Sequence, residues 1–272
     1  MRFPGGRAKA LTLSYDDGVQ QDHKLAEILN QHGIKATFNL NSGLFLQKTE
    51  DETPLSEYRM TMAQAAALFR NSGHEIASHG KSHAALEQLP YSDVVNEIME
   101  DRRVLETVFG GIVRGFAYPF GSYDERVIDS LKACGIAYAR TVEASEGFEL
   151  PVDWLRLKPT CHHNHPALME LADAFLRGDD RWGPKMFYLW GHSYEFDGDN
   201  NWQVMEEFCK YAGANENIWY ATNICIHDYV EAYRQLRCSV DGRIVYNPTD
   251  ITVCADMDGC IVEFPAATIV QL

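Results

Sequence analysis

Positive charge is scarce in this chain. Lys and Arg number 24 against 39 Asp and Glu in 272 residues, a formal net charge of −15. A field of that sign disfavours nucleic acid and anionic membrane surfaces as partners. No apolar run approaches the roughly 20 residues of a membrane-spanning helix, and the opening Met1-Arg2-Phe3-Pro4-Gly5-Gly6-Arg7 lacks the apolar stretch of a secretion signal. Together these read as a cytoplasmic protein. Cys-x-x-Cys pairs are absent too, and the 7 cysteines are odd in number and scattered, which argues against a disulfide framework or a zinc ribbon. They read as small buried hydrophobes. Internal repeats and low-complexity stretches are missing. With 46% hydrophobic residues the chain can bury a sizeable core, and one large α/β unit with a small appendage is expected.

What is there begins with Ala10-Leu11-Thr12-Leu13-Ser14-Tyr15, a short run of strand formers closed by Asp16-Asp17-Gly18. The spacing of Leu25, Ile28 and Leu29 predicts a helix over Asp22 to His32 with Gly33 as its stop. Ala36 to Leu40 follows as a second strand, completing a βαβ unit and hence a parallel sheet. After a polar connection from Leu44 to Ser56, helices are expected at Thr61 to Arg70, Ser92 to Phe109, Tyr123 to Cys134, Pro166 to Leu176, Asn201 to Tyr211 and Ile226 to Leu236. Strands are expected at His74 to Ser78, at Gly115 running into a turn by Gly121, at Ala137 to Arg140, Asp153 to Leu157, Lys185 to Trp190 and Ile218 to Tyr220. From Cys238 the texture changes to short strands with Asp-Gly bends at 240–242 and 257–259. The expected division is therefore a catalytic unit over 1–236 and a small antiparallel β appendage over 237–272.

Three strand ends carry chemistry. Adjacent carboxylates at Asp16 and Asp17 repel, so one is neutralised by a cation or their pKa values are driven apart, although Asp-Asp-Gly is also ordinary turn chemistry. His79 and His83 are four apart; on one face of a helical turn both can reach one ion, and equally both can be solvated. His192 follows the strand ending at Trp190. All five residues stand at C-terminal strand ends, the side on which barrel and doubly wound enzymes assemble their sites. A second histidine group, His162, His163 and His165, reads as a loop or substrate edge rather than a second metal site, because near-adjacent histidines need a distant partner to converge.

These residues resemble the carbohydrate esterase family 4 polysaccharide deacetylases, the group with a NodB homology domain. Ser14-Tyr15-Asp16-Asp17-Gly18 is similar to that family's first motif, Thr-Phe-Asp-Asp-Gly, and His79-Gly80-Lys81-Ser82-His83 to its His-(Ser/Thr)-x-x-His. Tyr118-Pro119-Phe120-Gly121 resembles the third motif and Leu189-Trp190-Gly191-His192 the last. The resemblance spans about residues 8–230 and implies a distorted (β/α) barrel of about seven parallel strands, TIM-barrel-like. It further implies that Asp17, His79 and His83 bind a divalent metal, with zinc foremost and cobalt, nickel or manganese as alternatives. In the same carry-over Asp16 is the general base and His192 the general acid, with Phe120, Tyr118 and Trp154 on the substrate and oxyanion side. The activity implied is hydrolysis of N-linked acetyl groups from an N-acetylated saccharide. The chain departs from the pattern at Ala117, where the family carries an arginine that orients the catalytic aspartate. Arg156, beside the faint fourth motif Asp153-Trp154, is expected to replace it.

Rival readings keep part of this inventory. Two histidines and a carboxylate also form the facial triad of non-haem iron oxygenases, but a spare carboxylate and a facing histidine suit hydrolysis better. A metal-dependent amidase on a small-molecule or cyclic amide, and a carbohydrate-binding protein without turnover, are the other two.

Overall fold

Lys9–Asp16 (β1) is buried along its whole length, as a strand must be when its neighbours and covering helices leave it no wet face. The computed structural model describes residues 1–46, 58–178 and 183–272; most of the expected polar connection Leu44 to Ser56 lies outside them. After β1 come Asp22–Gln31 (α1), Ala36–Leu40 (β2), Met62–Phe69 (α2) and Glu75–Ser78 (β3). Helix α2 starts with a reciprocal cap in which Thr61 and Gln64 satisfy each other's end groups. Tyr91–Phe109 (α3) buries Val94, Ile98, Asp101 and Leu105, a helical stripe, and ends at left-handed Gly110. Gly115–Ala117 (β4), Glu125–Ala133 (α4), Tyr138–Arg140 (β5), Cys161–His162 (β6), Leu168–Arg177 (α5), Lys185–Gly191 (β7), Glu195–Gly198 (α6), Trp202–Ala212 (α7), Ile218–Tyr220 (β8) and Asn223–Arg234 (α8) follow.

Among the described residues the central sheet has the order β5-β4-β3-β2-β1-β7-β6, with β8 also on β1. Every pairing in it is parallel. One edge of β1 pairs with β7 from Lys9 to Tyr15. Its other edge is shared, by β8 along Lys9 to Leu11 and by β2 along Leu13 to Asp16. The seven strands of the path curl into the distorted, open (β/α) barrel expected from the sequence, and all of them end on one rim.

One expected strand is absent. Asp153 to Leu157 is a single 3-10 turn at Trp154–Arg156, because the Asp153 side chain accepts from Leu155 N at 2.9 Å and turns the chain. Beyond α8, Arg237–Cys238 (β9), Ile244–Tyr246 (β10) and Ile269–Gln271 (β13) form one antiparallel sheet. Val253–Met257 (β11) and Cys260–Phe264 (β12) form a hairpin. Its two-residue loop, Asp258 and Gly259, has φ of 53° and 86°, the primed turn that matches strand twist. Val245, Val253 and Phe264 share a buried cluster with Phe3, Ile226 and Tyr229, so these strands pack on α8 and the chain start. Among the described residues no helix is long and apolar enough to cross a membrane.

Candidate active site

The end of β1 sets the site. Asp17 has φ of 86° and Gly18 of 67°, so the chain reverses its turn sense there and both carboxylates face one cleft instead of opposite sides of a strand. That cleft measures about 530 Å³ and also takes in His79, His83, Phe120 and His192. Asp16 is 2% exposed. Asn39 Nδ2 donates to its Oδ1 at 2.7 Å, and its Oδ2 lies 3.8 Å from His79 Nε2 and 3.9 Å from His192 Nε2. Burial alone would raise its pKa; Arg140 foremost, then His79 and His192, outweigh that and hold it at about 2.

The cation on Asp16 is Arg140, not Arg156. Arg140 forms a buried ion pair with Asp16 Oδ2 and stacks its guanidinium 4.3 Å over the Trp190 ring. Arg156 pairs with Glu125 and Asp153 at a part-exposed edge. Arg140 stands in register directly beside Ala117, so the neighbouring strand supplies the charge that position 117 lacks. Strands β5 and β1 are well separated in sheet order, and the pair forms across the interior only because the sheet curls.

Asp17, His79 and His83 come together, with donor atoms all within 4.8 Å of one another. The helical turn expected to align the histidines is not there. Residues 79–83 form a loop in which Gly80 and His83 have φ of 74° and 57°, and these left-handed residues fold the two rings edge to face at 4.7 Å. His79 Nδ1 lies 2.8 Å from the Ala117 carbonyl. A carbonyl only accepts, so Nδ1 carries the proton and Nε2 turns its lone pair toward the cleft. Burial pushes the His79 pKa down to about 4, which keeps the ring neutral. Two imidazoles and a carboxylate, one imidazole fixed by a backbone acceptor, suit a divalent ion of the zinc class. Arg59 Nη2 donates to Asp17 Oδ1 at 3.0 Å and Nη1 to Asn41 Oδ1 at 3.0 Å, fixing the carboxylate from outside.

Phe120 sits on the rim, 67% exposed, at φ of 58°. Tyr118 lines the cleft wall and donates its hydroxyl to Leu155 O at 2.8 Å. Trp154 is elsewhere: it is buried edge-on against His227, ring centres 5.0 Å apart, outside the cleft lining. Trp190 and Tyr194 supply the aromatic wall in its place. On the far side His192 Nδ1 lies 3.3 Å from Glu195 Oε1. Burial would lower the His192 pKa, yet Glu195 and Asp16 reverse that and raise it. Arg59, Arg140 and Glu195 carry no motif signal of their own.

The polysaccharide deacetylase family model matches residues 4–139, half of the chain, and the chain belongs to that family. Chitin deacetylase 1 of Cryptococcus neoformans var. grubii is 31% identical over 116 residues, 42% of this chain and 22% of that protein. The chitin deacetylase of a Pestalotiopsis species is 25% identical over 124 residues, 45% and 38% of the two chains. The match therefore spans less than two fifths of either relative. Among solved structures, a Mycobacterium smegmatis protein superposes with a TM-score of 0.58 at 17% identity, covering 86% of this chain and 94% of that one. The Xyl-CE4 domain of a xylanase from a Trinervitermes trinervoides hindgut metagenome follows at 0.56 and 14%, covering 82% and 92%. At these identities the likeness is one of fold.

Proposed function

We propose that this chain is a metal-dependent hydrolase that removes N-linked acetyl groups from an N-acetylated saccharide, with residues 1–236 as the catalytic unit and 237–272 as a structural β layer. The observation that carries the reading is the placement of an ionised carboxylate and a raised-pKa imidazole in one cleft, 3.9 Å apart, beside the donor set of Asp17, His79 and His83. A divalent ion on those three residues, zinc first with cobalt, nickel or manganese as alternatives, supplies Lewis acidity toward an amide carbonyl and lowers the pKa of water.

The chain's own residues handle the protons. Asp16, kept as a carboxylate by Arg140, takes the proton of the attacking water. The water oxygen bonds to the acetyl carbon, the carbon-nitrogen bond breaks, and His192 gives its proton to the departing amine, leaving acetate and a free amino sugar. The Phe120 turn at the rim is the candidate for a backbone N–H toward the oxyanion. Phe120 and Tyr194 line the cleft and offer it aromatic surface for a sugar.

Acetate release from short N-acetylglucosamine oligomers, screened with each of the four metals and set against cyclic amides, tests this. Asp16→Asn is expected to lower turnover by roughly a thousandfold with the ion still bound. Full activity in that variant would end the mechanism, and turnover of the cyclic amides alone would move the substrate to the small-molecule class.

A further inference from the structure

The two histidines of the Asp17, His79 and His83 set are braced in different ways. Behind His79 stands the Ala117 carbonyl, 2.8 Å from Nδ1. Among the described residues His83 has no hydrogen-bond partner; its Nε2 lies 4.0 Å from Asp17 Oδ1, inside the set itself, and its side chain is 21% exposed. The outer torsion of a histidine is broad, so a ring without such a partner needs another restraint to keep one nitrogen turned to an ion.

Neighbouring rings supply that restraint. The His83 ring meets His79 at 4.7 Å and 80° and Phe120 at 4.6 Å and 84°, the edge-to-face arrangement that aromatic quadrupoles favour. Although Phe120 is 67% exposed, the backbone that carries it is fixed. Pro119 sets its own φ, Gly121 N donates to Tyr118 O at 2.9 Å, and Ser122 N donates to Pro119 O at 3.2 Å. Ser122 Oγ donates to Glu87 Oε2 at 2.9 Å. A Cβ on Gly121 would stand 2.3 Å from Val142 Cγ2, so Val142, two residues beyond β5, closes the turn from the other side. Phe120 itself is left-handed, at φ of 58°, a conformation that costs a side-chain-bearing residue energy and persists where the surroundings impose it. Ala117 ends β4 and Phe120 lies three residues on. One strand end therefore meets both histidines, the first by a hydrogen bond and the second by ring packing.

We infer that Phe120 is a positioning residue for the metal set: its ring, carried on the 118–122 turn, keeps the His83 imidazole in the orientation that presents Nε2 beside Asp17 and His79. This task is separate from any contact of Phe120 with a saccharide. It rests on the proposed function only in taking the three residues as ligands of an ion; the packing of the rings is independent of substrate.

Zinc affinity, read by competition with a chelating dye, tests the inference together with proton NMR of the His83 ring in the intact, metal-stripped protein. Phe120→Ala keeps a β-carbon, and so the backbone cost at φ of 58°, while removing the ring. It is expected to raise the zinc dissociation constant about tenfold with an unchanged urea midpoint, and to abolish the ring-current shift that Phe120 imposes on His83. Phe120→Tyr restores a ring and is expected to stay within twofold of the wild-type affinity. Wild-type zinc affinity in Phe120→Ala, or equal losses in the Ala and Tyr variants, would overturn the inference. A wild type that takes up no zinc, or takes it up without releasing acetate, while the His83 shift is present and vanishes in Phe120→Ala, would count against the hydrolase reading and leave the bracing of His83 standing.

Discussion

Asp17, His79 and His83 on one side of the rim, and Glu195, His162 and His163 on the other, are the same inventory at the same spacing, donor atoms within 4.8 Å in each. They differ in what stands behind one ring. Behind His79 a backbone carbonyl accepts a hydrogen bond from Nδ1–H and leaves the Nε2 lone pair pointing inward; behind His162 the Asn164 backbone N–H donates a hydrogen bond to Nδ1, which leaves Nε2–H pointing inward. One group is therefore shaped to receive a cation and the other to restrain a carboxylate. Ligand counting alone does not separate them, and the partner on the remote nitrogen does.

The largest test of that contrast is metal content. His83→Ala is expected to lose the bound ion, and with it turnover by about a thousandfold, a barrier change of several kcal/mol. His162→Gln is expected to keep the same ion per chain as the wild type. Elemental analysis after dialysis against zinc reads both, and loss of the ion in His162→Gln would collapse the distinction between the groups.

Next in size is the charge that keeps Asp16 ionised beside the first group. Removing Arg140 strands a buried carboxylate, so Arg140→Ala should cost about 3–5 kcal/mol of stability and about a hundredfold in kcat. Arg156→Ala, whose partners sit at the surface, should stay within twofold. Restoration of turnover by adding Ala117→Arg to Arg140→Ala would sharpen the point that the two strands share one position. Equal losses for Arg140→Ala and Arg156→Ala, by melts and acetate release, would refute it.

A smaller effect belongs to the second group. A methyl at Gly191 would meet His163 Nδ1 at 1.9 Å and its Cε1 at 2.4 Å, and the ring, held between Phe196 and Tyr15, has no room to retreat. Gly191→Ala is expected to cost about 3 kcal/mol in urea unfolding with the metal content unchanged.

The two groups were unequally legible in the sequence. Asp16, Asp17, His79, His83 and His192 stand at strand ends, and strand ends follow from short apolar runs closed by Gly or Pro, so their side of the barrel could be read without coordinates. His-x-x-x-His spacing fits a helical turn and the loop found at 79–83 equally well, and only the left-handed backbone at Gly80 and His83 separates them. Arg140 was missed for a different reason: its partner lies across the curled sheet, and chain proximity favoured Arg156, which is spent on Asp153 and Glu125. Trp154 was placed in the cleft by its nearness to Asp153, whereas the 3-10 turn there carries it into the core. Glu195 gained its meaning only from α6 beginning immediately after β7. What failed to show in the sequence was thus every contact set by register or tautomer rather than by local pattern.

The smallest effect concerns how each histidine-bearing strand end is braced. Ser78, before His79, donates to Asp101 Oδ2 at 2.5 Å, and Ser193, after His192, donates to Asp22 Oδ1 at 2.6 Å. Both aspartates are buried, and among the described residues neither has a cation partner. Burial pushes the Asp101 carboxyl up to about 6 despite its bonds from Ser78 and Ser42, and Asp22 up to about 7 despite Ser193 and Val19 N. For Asp101 both folded and unfolded chains hold the proton below pH 3.8, so the group then contributes nothing. Between pH 3.8 and about 6 the unfolded chain gives up its proton while the folded one keeps it. Stability falls across that window by on the order of 2 kcal/mol and levels off above it. Asn at this position does not titrate, so Asp101→Asn is expected to lose about 2 kcal/mol less than the wild type between pH 4 and pH 7 in urea unfolding. Parallel stability curves for the two proteins would mean that Asp101 is ionised in the fold, and that the brace beneath His79 carries a charge.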